Sequence, residues 1–136
     1  MGTVYADITL KNAWDKQKAN EGLITEGEIR QKTIQAIVDT GAMSMVINDK
    51  LRQELGLEIT GEKGIILANN VREVAKIAGP VEIHWKNRSF LCQPIVSSAS
   101  GPILMGVIPL EAMDLMVDPV RQELTGAHGE EEVQYI

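Results

Sequence analysis

Apolar residues occupy every second position near the start of the chain, and short apolar runs separated by polar or small residues follow. Within residues 3–10, Val4, Ala6, Ile8 and Leu10 have the period of a half-buried strand. The strands predicted from the whole pattern cover residues 3–10, about 28–38, 43–47, 65–67, 71–74, 81–85, 89–96, 103–106 and 115–117. Many short strands with one or two short helices predict an all-β domain, folded as a closed or nearly closed barrel.

Two short helices interrupt the predicted strands. Asn48 can cap a helix over residues 49–55, and Gly56 provides its stop. The second helix is predicted over residues 109–113. Residues 12–27 are polar and irregular, and they therefore predict a long loop.

A hairpin is predicted within residues 65–74, where two short apolar strands flank Ala68, Asn69 and Asn70. Asparagine tolerates the left-handed backbone that a hairpin tip needs. The hairpin is a candidate lid over a binding site. Its tip residues, together with Val71 beside them, are candidate substrate contacts.

Composition and charge limit the classes of function. The 136 residues suffice for one domain with a substantial core, which we place at residues 1–124. Residues 125–136 form a polar, acidic tail that we expect to be mobile. The net charge is -6, and Lys and Arg are scattered rather than grouped. Nucleic acid is therefore not an expected partner.

The expected compartment is the cytoplasm. The N-terminal residues lack the basic and apolar regions of a signal peptide. No apolar run is long enough to cross a bilayer, so a membrane is not an expected partner. The single cysteine, Cys92, cannot form an internal disulfide and fits a reducing compartment, where we expect it to be a small buried side chain.

One acidic residue stands where an apolar strand is predicted to end. Asp39 follows the apolar run 36–38 and precedes Thr40, Gly41 and Ala42. Desolvation at such a place favours a neutral carboxyl group unless hydrogen bonds or a partner offset it. Gly41 permits a tight backbone that turns amide hydrogens toward Asp39, and Ala42 is small enough to leave the carboxylate accessible. An isolated Asp-Thr-Gly equally fits a strand-ending turn.

Other ionisable groups favour structural roles. Asp114 and Asp118 lie near the predicted C-terminal strand and are conceivable partners for Asp39. Asp118, however, precedes a proline in an ordinary turn, and Asp114 follows a helix. His84 and His128 lack the spacing of a metal site, so neither a metal nor another cofactor is expected.

The order of these motifs resembles the retropepsin-like (clan AA) aspartic protease family, in particular its small single-domain bacterial and archaeal members. The resemblance rests on residues 39–42, the strand, helix and hairpin that follow, and the segment 103–106 with its helix. It spans roughly Thr3 to Leu124. It implies the acid-protease β-barrel with a flap hairpin, and aspartic endopeptidase activity. Residues 39–41, which are Asp39, Thr40 and Gly41, are then the implied catalytic residues.

The resemblance also implies a homodimer. Peptide hydrolysis by this mechanism needs two carboxylates flanking one water, and the chain holds one such motif. A two-fold dimer places Asp39 of one copy beside Asp39 of the other. Two carboxylates about 3 Å apart share a proton, so that one takes a proton from water while the other donates to the peptide carbonyl. The expected partners are a second copy and a peptide or protein substrate.

Two features depart from the family's pattern. Residues 67–72 lack the glycines of the family's flap, and Gly106 is followed by Val107, Ile108 and Pro109 where a polar residue often braces the dimer. The main alternative is a non-catalytic module with the same fold that dimerises or binds peptides. A domain cut from a longer zymogen or fusion is a weaker alternative, because the chain starts at Met and holds the motifs in complete order.

Overall fold

The computed structural model describes residues 2–136, so Met1, the first residue of the predicted domain, lies outside the described part. The strands are β1 (Val4–Asn12), β2 (Gln31–Val38), β3 (Met45–Asn48), β4 (Glu58–Ile66), β5 (Arg72–Gly79), β6 (Val81–Trp85), β7 (Arg88–Cys92), β8 (Ile95–Ser97), β9 (Leu104–Met105), β10 (Leu115–Asp118) and β11 (Glu123–Gly126). The α-helices are α1 (Ala13–Asn20), α2 (Asp49–Glu54) and α3 (Val107–Ala112), and Glu26–Glu28 form a 3-10 turn.

Nine of these strands form one strongly curled, half-barrel sheet in the order β4-β5-β8-β3-β9-β2-β1-β6-β7. Strands make up 45% of the structure, which confirms the all-β prediction. The short strand β9 lies between β2 and β3, parallel to the first and antiparallel to the second. Strands β10 and β11 form a separate hairpin. The sheet order therefore joins the end of β2, where Asp39 follows, to a segment from late in the chain.

The hydrophobic core lies on one face of the curled sheet. The predicted alternation in β1 is confirmed, since Ala6, Ile8 and Leu10 are buried while their neighbours are not. Val38 and Met105 continue this buried face in β2 and β9. Within residues 2–136, no helix is long and apolar enough to cross a membrane.

The prediction of a loop over residues 12–27 is wrong, because α1 begins there. Asn12, which is 1% exposed, accepts a hydrogen bond from the Asp15 amide at 3.1 Å and donates from Nδ2 to the carbonyl of Leu55 at 2.9 Å. Asp15 in turn accepts from Nε of Arg30 at 2.8 Å, and this bond lowers the pKa of Asp15. A cap and an ion pair, rather than an apolar stripe, therefore hold α1, and residues 2–136 contain three α-helices instead of the one or two predicted.

The strand predicted over residues 89–96 is divided into β7 and β8. Pro94 lies between them and has no N–H for a ladder, while its carbonyl accepts from the Ala78 amide at 3.1 Å. The predicted helix after Asn48 is confirmed, with the Asn48 side chain accepting from the Leu51 amide at 2.8 Å. Gly56 ends that helix with φ of 63°, where a side chain would be strained.

The C-terminal segment makes specific contacts with the rest of the domain. The boundary predicted at residue 124 falls within β11. Beyond it, the Val133 amide donates to Oδ2 of Asp114 at 2.9 Å, and the Nδ1 atom of His128 lies 2.8 Å from the same oxygen. Gln134 donates to the carbonyl of Ala112 at 2.9 Å. The mobility of residues 125–136 stays a prediction.

Candidate active site

The loop that carries Asp39 begins as a continuation of the β2–β9 ladder. The Ile37 amide donates to the carbonyl of Ile103 at 2.8 Å, and the Asp39 amide donates to the carbonyl of Met105 at 3.0 Å. The chain then turns, with the Ala42 amide donating to the carbonyl of Asp39 at 3.2 Å. Asp39 is therefore positioned by backbone hydrogen bonds on both of its sides.

The carboxylate of Asp39 is half-buried and has one hydrogen-bonded oxygen. The Gly41 amide donates to Oδ1 at 2.9 Å, as the tight backbone at this glycine predicts. Within residues 2–136, no hydrogen bond or ion pair reaches Oδ2. The arrangement fixes the orientation of the carboxylate and leaves one oxygen available to a water, a substrate or a second chain.

A second layer of backbone hydrogen bonds supports the loop from α3. The amides of Gly106, Val107 and Ile108 donate to the carbonyls of three successive loop residues, namely Ser44 at 3.1 Å, Ala42 at 2.9 Å and Met43 at 2.9 Å. A Cβ atom at position 106 would lie 2.5 Å from the carbonyl oxygen of Ser44. Glycine is required at position 106 because the loop passes directly over its backbone.

The residues predicted for catalysis and substrate binding occupy two places in the chain. Asp39, Thr40, Gly41 and Ala42 lie together in the loop, with Thr40 and Gly41 exposed and Ala42 half-buried. The predicted hairpin is confirmed as the β4–β5 hairpin, with residues 67–71 at its tip.

The tip of this hairpin is not joined to the Asp39 loop by the sheet. Ala68, Asn69, Asn70 and Val71 are exposed, and Asn70 has φ of 63°. The described hydrogen bonds of the tip are internal, including one from the Asn70 amide to the carbonyl of Leu67 at 2.9 Å. Strands β8, β3 and β9 lie between β5 and β2.

An apolar row runs across the sheet beside Asp39, and the sequence analysis did not assemble it. Cross-strand partners lie on the same face of a sheet. The register connects the members of this row in the order Tyr5, Ile37, Leu104, Val46, Ile95 and Ile77. All are half-buried except Tyr5, which is exposed, while their chain neighbours such as Val38 and Met105 face the core. Asp39 stands two positions after Ile37 and its amide continues the ladder to Met105, so the period of two that strands follow places its side chain on the face of the row.

The sequence carries one signal for this row. Ile37, Val46 and Leu104 each stand next to an apolar core residue, so apolar pairs replace strict alternation in β2, β3 and β9. Such pairs indicate a sheet that is apolar on both faces at this place. The register that aligns the three strands is a tertiary feature, and the pattern along the chain does not contain it.

The other candidate groups lie elsewhere. Asp118 accepts from the Val120 amide at 3.0 Å, as expected of a turn residue, and His84 pairs with Glu82. The hydrogen bond from the Val133 amide lowers the pKa of Asp114, and the hydrogen bond from His128 adds a smaller effect in the same direction. Across residues 2–136 there is no group of three or more His, Cys, Asp or Glu side chains arranged to hold a metal ion.

A cavity of about 520 Å³ lies between the β6–β7 turn and β11. Its lining includes Trp85, Arg88 and Gly126 but not Asp39. The candidate active site is therefore an open surface in the single chain rather than this cavity.

Comparison with known proteins shows a similarity to aspartic proteases. The aspartyl protease family model matches residues 25–83, which include Asp39 and the whole β4–β5 hairpin. No curated protein matches the chain significantly.

Two solved structures share the fold. The retroviral protease-like domain of Ddi1 from Leishmania major has a TM-score of 0.56 and 14% identity, covering 92% of this chain and 88% of that one. The EIAV protease in complex with the inhibitor HBY-793 has the same TM-score and identity, covering 81% of this chain and 86% of that one. The chain thus has the fold of retroviral proteases. Together with the family match, this fold supports its assignment to the retropepsin-like aspartic proteases.

Proposed function

We propose that the protein is an aspartic endopeptidase that hydrolyses peptide bonds with a water activated between two Asp39 carboxylates of a homodimer. The observation that carries this proposal is the state of Asp39. Its Oδ1 atom is held by the Gly41 amide at 2.9 Å, and within residues 2–136 its Oδ2 atom has no protein partner. A carboxylate oriented in this way can accept a proton from a water or share one with a second carboxylate.

The second carboxylate comes from a second copy of the chain in this proposal. Asp114 is the other acid that could have served, but its carboxylate is engaged by His128 and Val133. Asp118 is engaged in its own turn. A two-fold axis beside Asp39 supplies an identical carboxylate at the same distance from the water. One carboxylate is then ionised and the other protonated, because two negative charges at about 3 Å repel strongly.

The apolar row suggests which peptides bind. An extended substrate lying across the face of Ile37, Leu104 and Val46 would place apolar side chains on either side of the bond beside Asp39. The β4–β5 hairpin would cover the peptide, with Ala68, Asn69, Asn70 and Val71 contacting it and Ala42 forming part of the wall. We therefore propose that the substrate is an unstructured peptide or protein segment with large apolar residues at the cleaved bond.

Cleavage of an unstructured protein by the purified full chain tests this function. Activity should be present at acidic to mildly acidic pH and should be blocked by a statine-type inhibitor. The Asp39→Asn variant should lose cleavage while keeping the dimerisation and thermal unfolding of the wild type. Asp7→Asn is a matched control, because it removes one exposed carboxylate from β1 and should cleave normally. Equal cleavage by Asp39→Asn and the wild type would refute the proposal.

The second candidate is a non-catalytic module that dimerises or binds peptides. The hairpin tip favours it, because hydrogen bonds within residues 67–71 stiffen a tip that contains no glycine. A protein that dimerises but neither cleaves at any pH nor binds the inhibitor would support this candidate. We also propose a cytoplasmic location, which the single cysteine fits.

A further inference from the structure

Two large apolar side chains are exposed on the loop and helix that surround Asp39. Met43 is 66% exposed and belongs to the same loop as Asp39. Ile108 is 46% exposed and stands in the first turn of α3. The Ile108 amide donates to the carbonyl of Met43 at 2.9 Å, so the two residues are neighbours in space and are held by backbone.

The surroundings of both residues are free of charge along the chain. Residues 40–48 contain no Asp, Glu, Lys or Arg, and neither do residues 102–110. Part of each segment belongs to the core, but their exposed residues also carry no charge, and Met43 and Ile108 are the large apolar side chains among them. The exposed residues are Thr40, Gly41, Met43, Pro102 and Ile108. Depletion of charge with enrichment of Met and other apolar residues is typical of the buried centre of a protein–protein interface.

The position of Asp39 indicates which partner covers the surface around Met43 and Ile108. The site is chemically incomplete in one chain, and a second copy completes it only if the two Asp39 carboxylates approach to about 3 Å. Met43 is four residues from Asp39, so their Cα atoms are at most about 14 Å apart, and the turn between them shortens this distance. Two surfaces that bring their Asp39 residues into contact also bring these neighbouring residues toward the other copy.

We propose that Met43 and Ile108 of each chain are buried by a second copy and form the apolar brace of the catalytic dimer. This inference rests on the proposed function, because it identifies the partner of the same site. Each residue occurs twice in a two-fold interface, so a substitution acts at two places. An apolar brace also differs from an ionic one in its response to salt, because screening weakens contacts between charges and leaves apolar burial in place.

Sedimentation of full-length variants over a range of concentrations tests the brace. Met43→Ser and Ile108→Ser should each raise the dimer dissociation constant about thirtyfold, equivalent to about 2 kcal/mol at about 1.4 kcal/mol per tenfold. Met43→Leu should dimerise as the wild type does, because it keeps an apolar side chain at this position. Val120→Ser is the matched control, since Val120 is 91% exposed in the β10–β11 turn, and it should dimerise as the wild type does. Higher salt should not weaken the wild-type dimer.

Cleavage measurements then separate this inference from the proposed function. The two serine variants should be less active at low enzyme concentration and should recover as the concentration rises. The brace is refuted if either variant dimerises as tightly as the wild type, or if either is defective while fully dimeric, which would make its side chain a substrate contact. A wild type that stays monomeric at every concentration would refute the catalytic homodimer as well. Asp39→Asn should dimerise normally without cleaving, which distinguishes loss of chemistry from loss of assembly.

Discussion

Gly106 donates its backbone N–H to the carbonyl of Ser44 at 3.1 Å, and the loop lies so close that no side chain fits between them. A Cβ atom at position 106 would approach the carbonyl oxygens of Ser44 and Ala42 to 2.5 and 2.6 Å. Both obstacles are backbone atoms, so they cannot move without displacing the loop that carries Asp39. The glycine is therefore part of the support of the candidate site.

Gly106→Ala should lower the free energy of unfolding by about 3 kcal/mol and reduce cleavage, because steric overlap forces the loop away from α3. Urea unfolding and peptide cleavage measure the two effects. Gly64→Ala is the control, since a Cβ atom at Gly64 meets nothing within 4 Å. That variant should unfold within about 1 kcal/mol of the wild type. If the two alanine variants are equally stable, the close approach at Gly106 is not a constraint.

Leu104→Ala should change the preference for substrate side chains. The apolar row places Leu104 between Ile37 and Val46, so truncation removes apolar contact area at the bond proposed to be cleaved. We expect kcat/KM to fall about tenfold or more for substrates with large apolar residues there, and less for small residues. Leu91→Ala, at an exposed site in the edge strand β7, should leave kcat/KM unchanged for both kinds of substrate. An equal loss for all substrates would argue against a role in specificity.

Asn12→Ala should destabilise the domain. It removes the cap of α1 and leaves the carbonyl of Leu55 without the buried donor Nδ2. Together these losses should lower the free energy of unfolding by about 2–3 kcal/mol. Asn20→Ala, at the exposed end of α1, is the matched control and should have little effect. Chemical denaturation of both variants checks the difference, and equal stabilities would exclude Asn12 as the anchor of α1.

Asp114 should make stability depend on pH. The Val133 amide, aided by His128, holds the pKa of Asp114 below its usual range, so the ionised carboxylate stabilises the folded state. This contribution is present above about pH 4, where the unfolded carboxyl is ionised, and it is lost as pH falls through the folded pKa. Wild type should therefore exceed Asp114→Asn in stability at pH 6, and the gap should narrow on acidification. Asp7→Asn controls for the loss of one charge, and a constant gap for Asp114→Asn would contradict the linkage.

Cys92 should react slowly with alkylating reagents in the folded protein. Burial raises the pKa of its thiol from 9.0 to about 12, so the reactive thiolate is depleted about a thousandfold at neutral pH. Iodoacetamide labelling followed by mass spectrometry should be slow in buffer and fast in urea. Cys92→Ala measures labelling at other side chains. Equal rates with and without urea would mean that the thiol is not protected.

Local features of the sequence predict much of the site. Asp39 with Gly41, the Asn48 cap and the Asn70 tip each depend on residues close together in the chain, and the structure has the corresponding loop, helix and hairpin. Gly106 could be singled out because a glycine ends an apolar run before a helix. The need for glycine at this position comes from the carbonyl of Ser44, which the fold brings against Gly106 from a distant part of the chain.

The features that the sequence did not predict depend on distant contacts. Helix α1 has no apolar stripe and is held by Asp15 bonding to Arg30, fifteen positions away. The apolar row requires the register of β2, β9 and β3, which local patterning does not encode. The hydrogen bond between Asp114 and Val133 likewise joins a turn to a segment that the sequence predicts to be a polar tail.

Because β9 lies between β2 and β3, the support of the Asp39 loop is synthesised after the loop itself. The loop after Asp39 is made first, whereas the strand and the Gly106 turn that hold it are translated some sixty residues later. A nascent chain on the ribosome therefore carries the carboxylate without its support, and contacts so far apart in sequence form late. Under the proposed function, newly made chains cannot digest their neighbours before each has synthesised residues 103–108, has folded and has found a second copy.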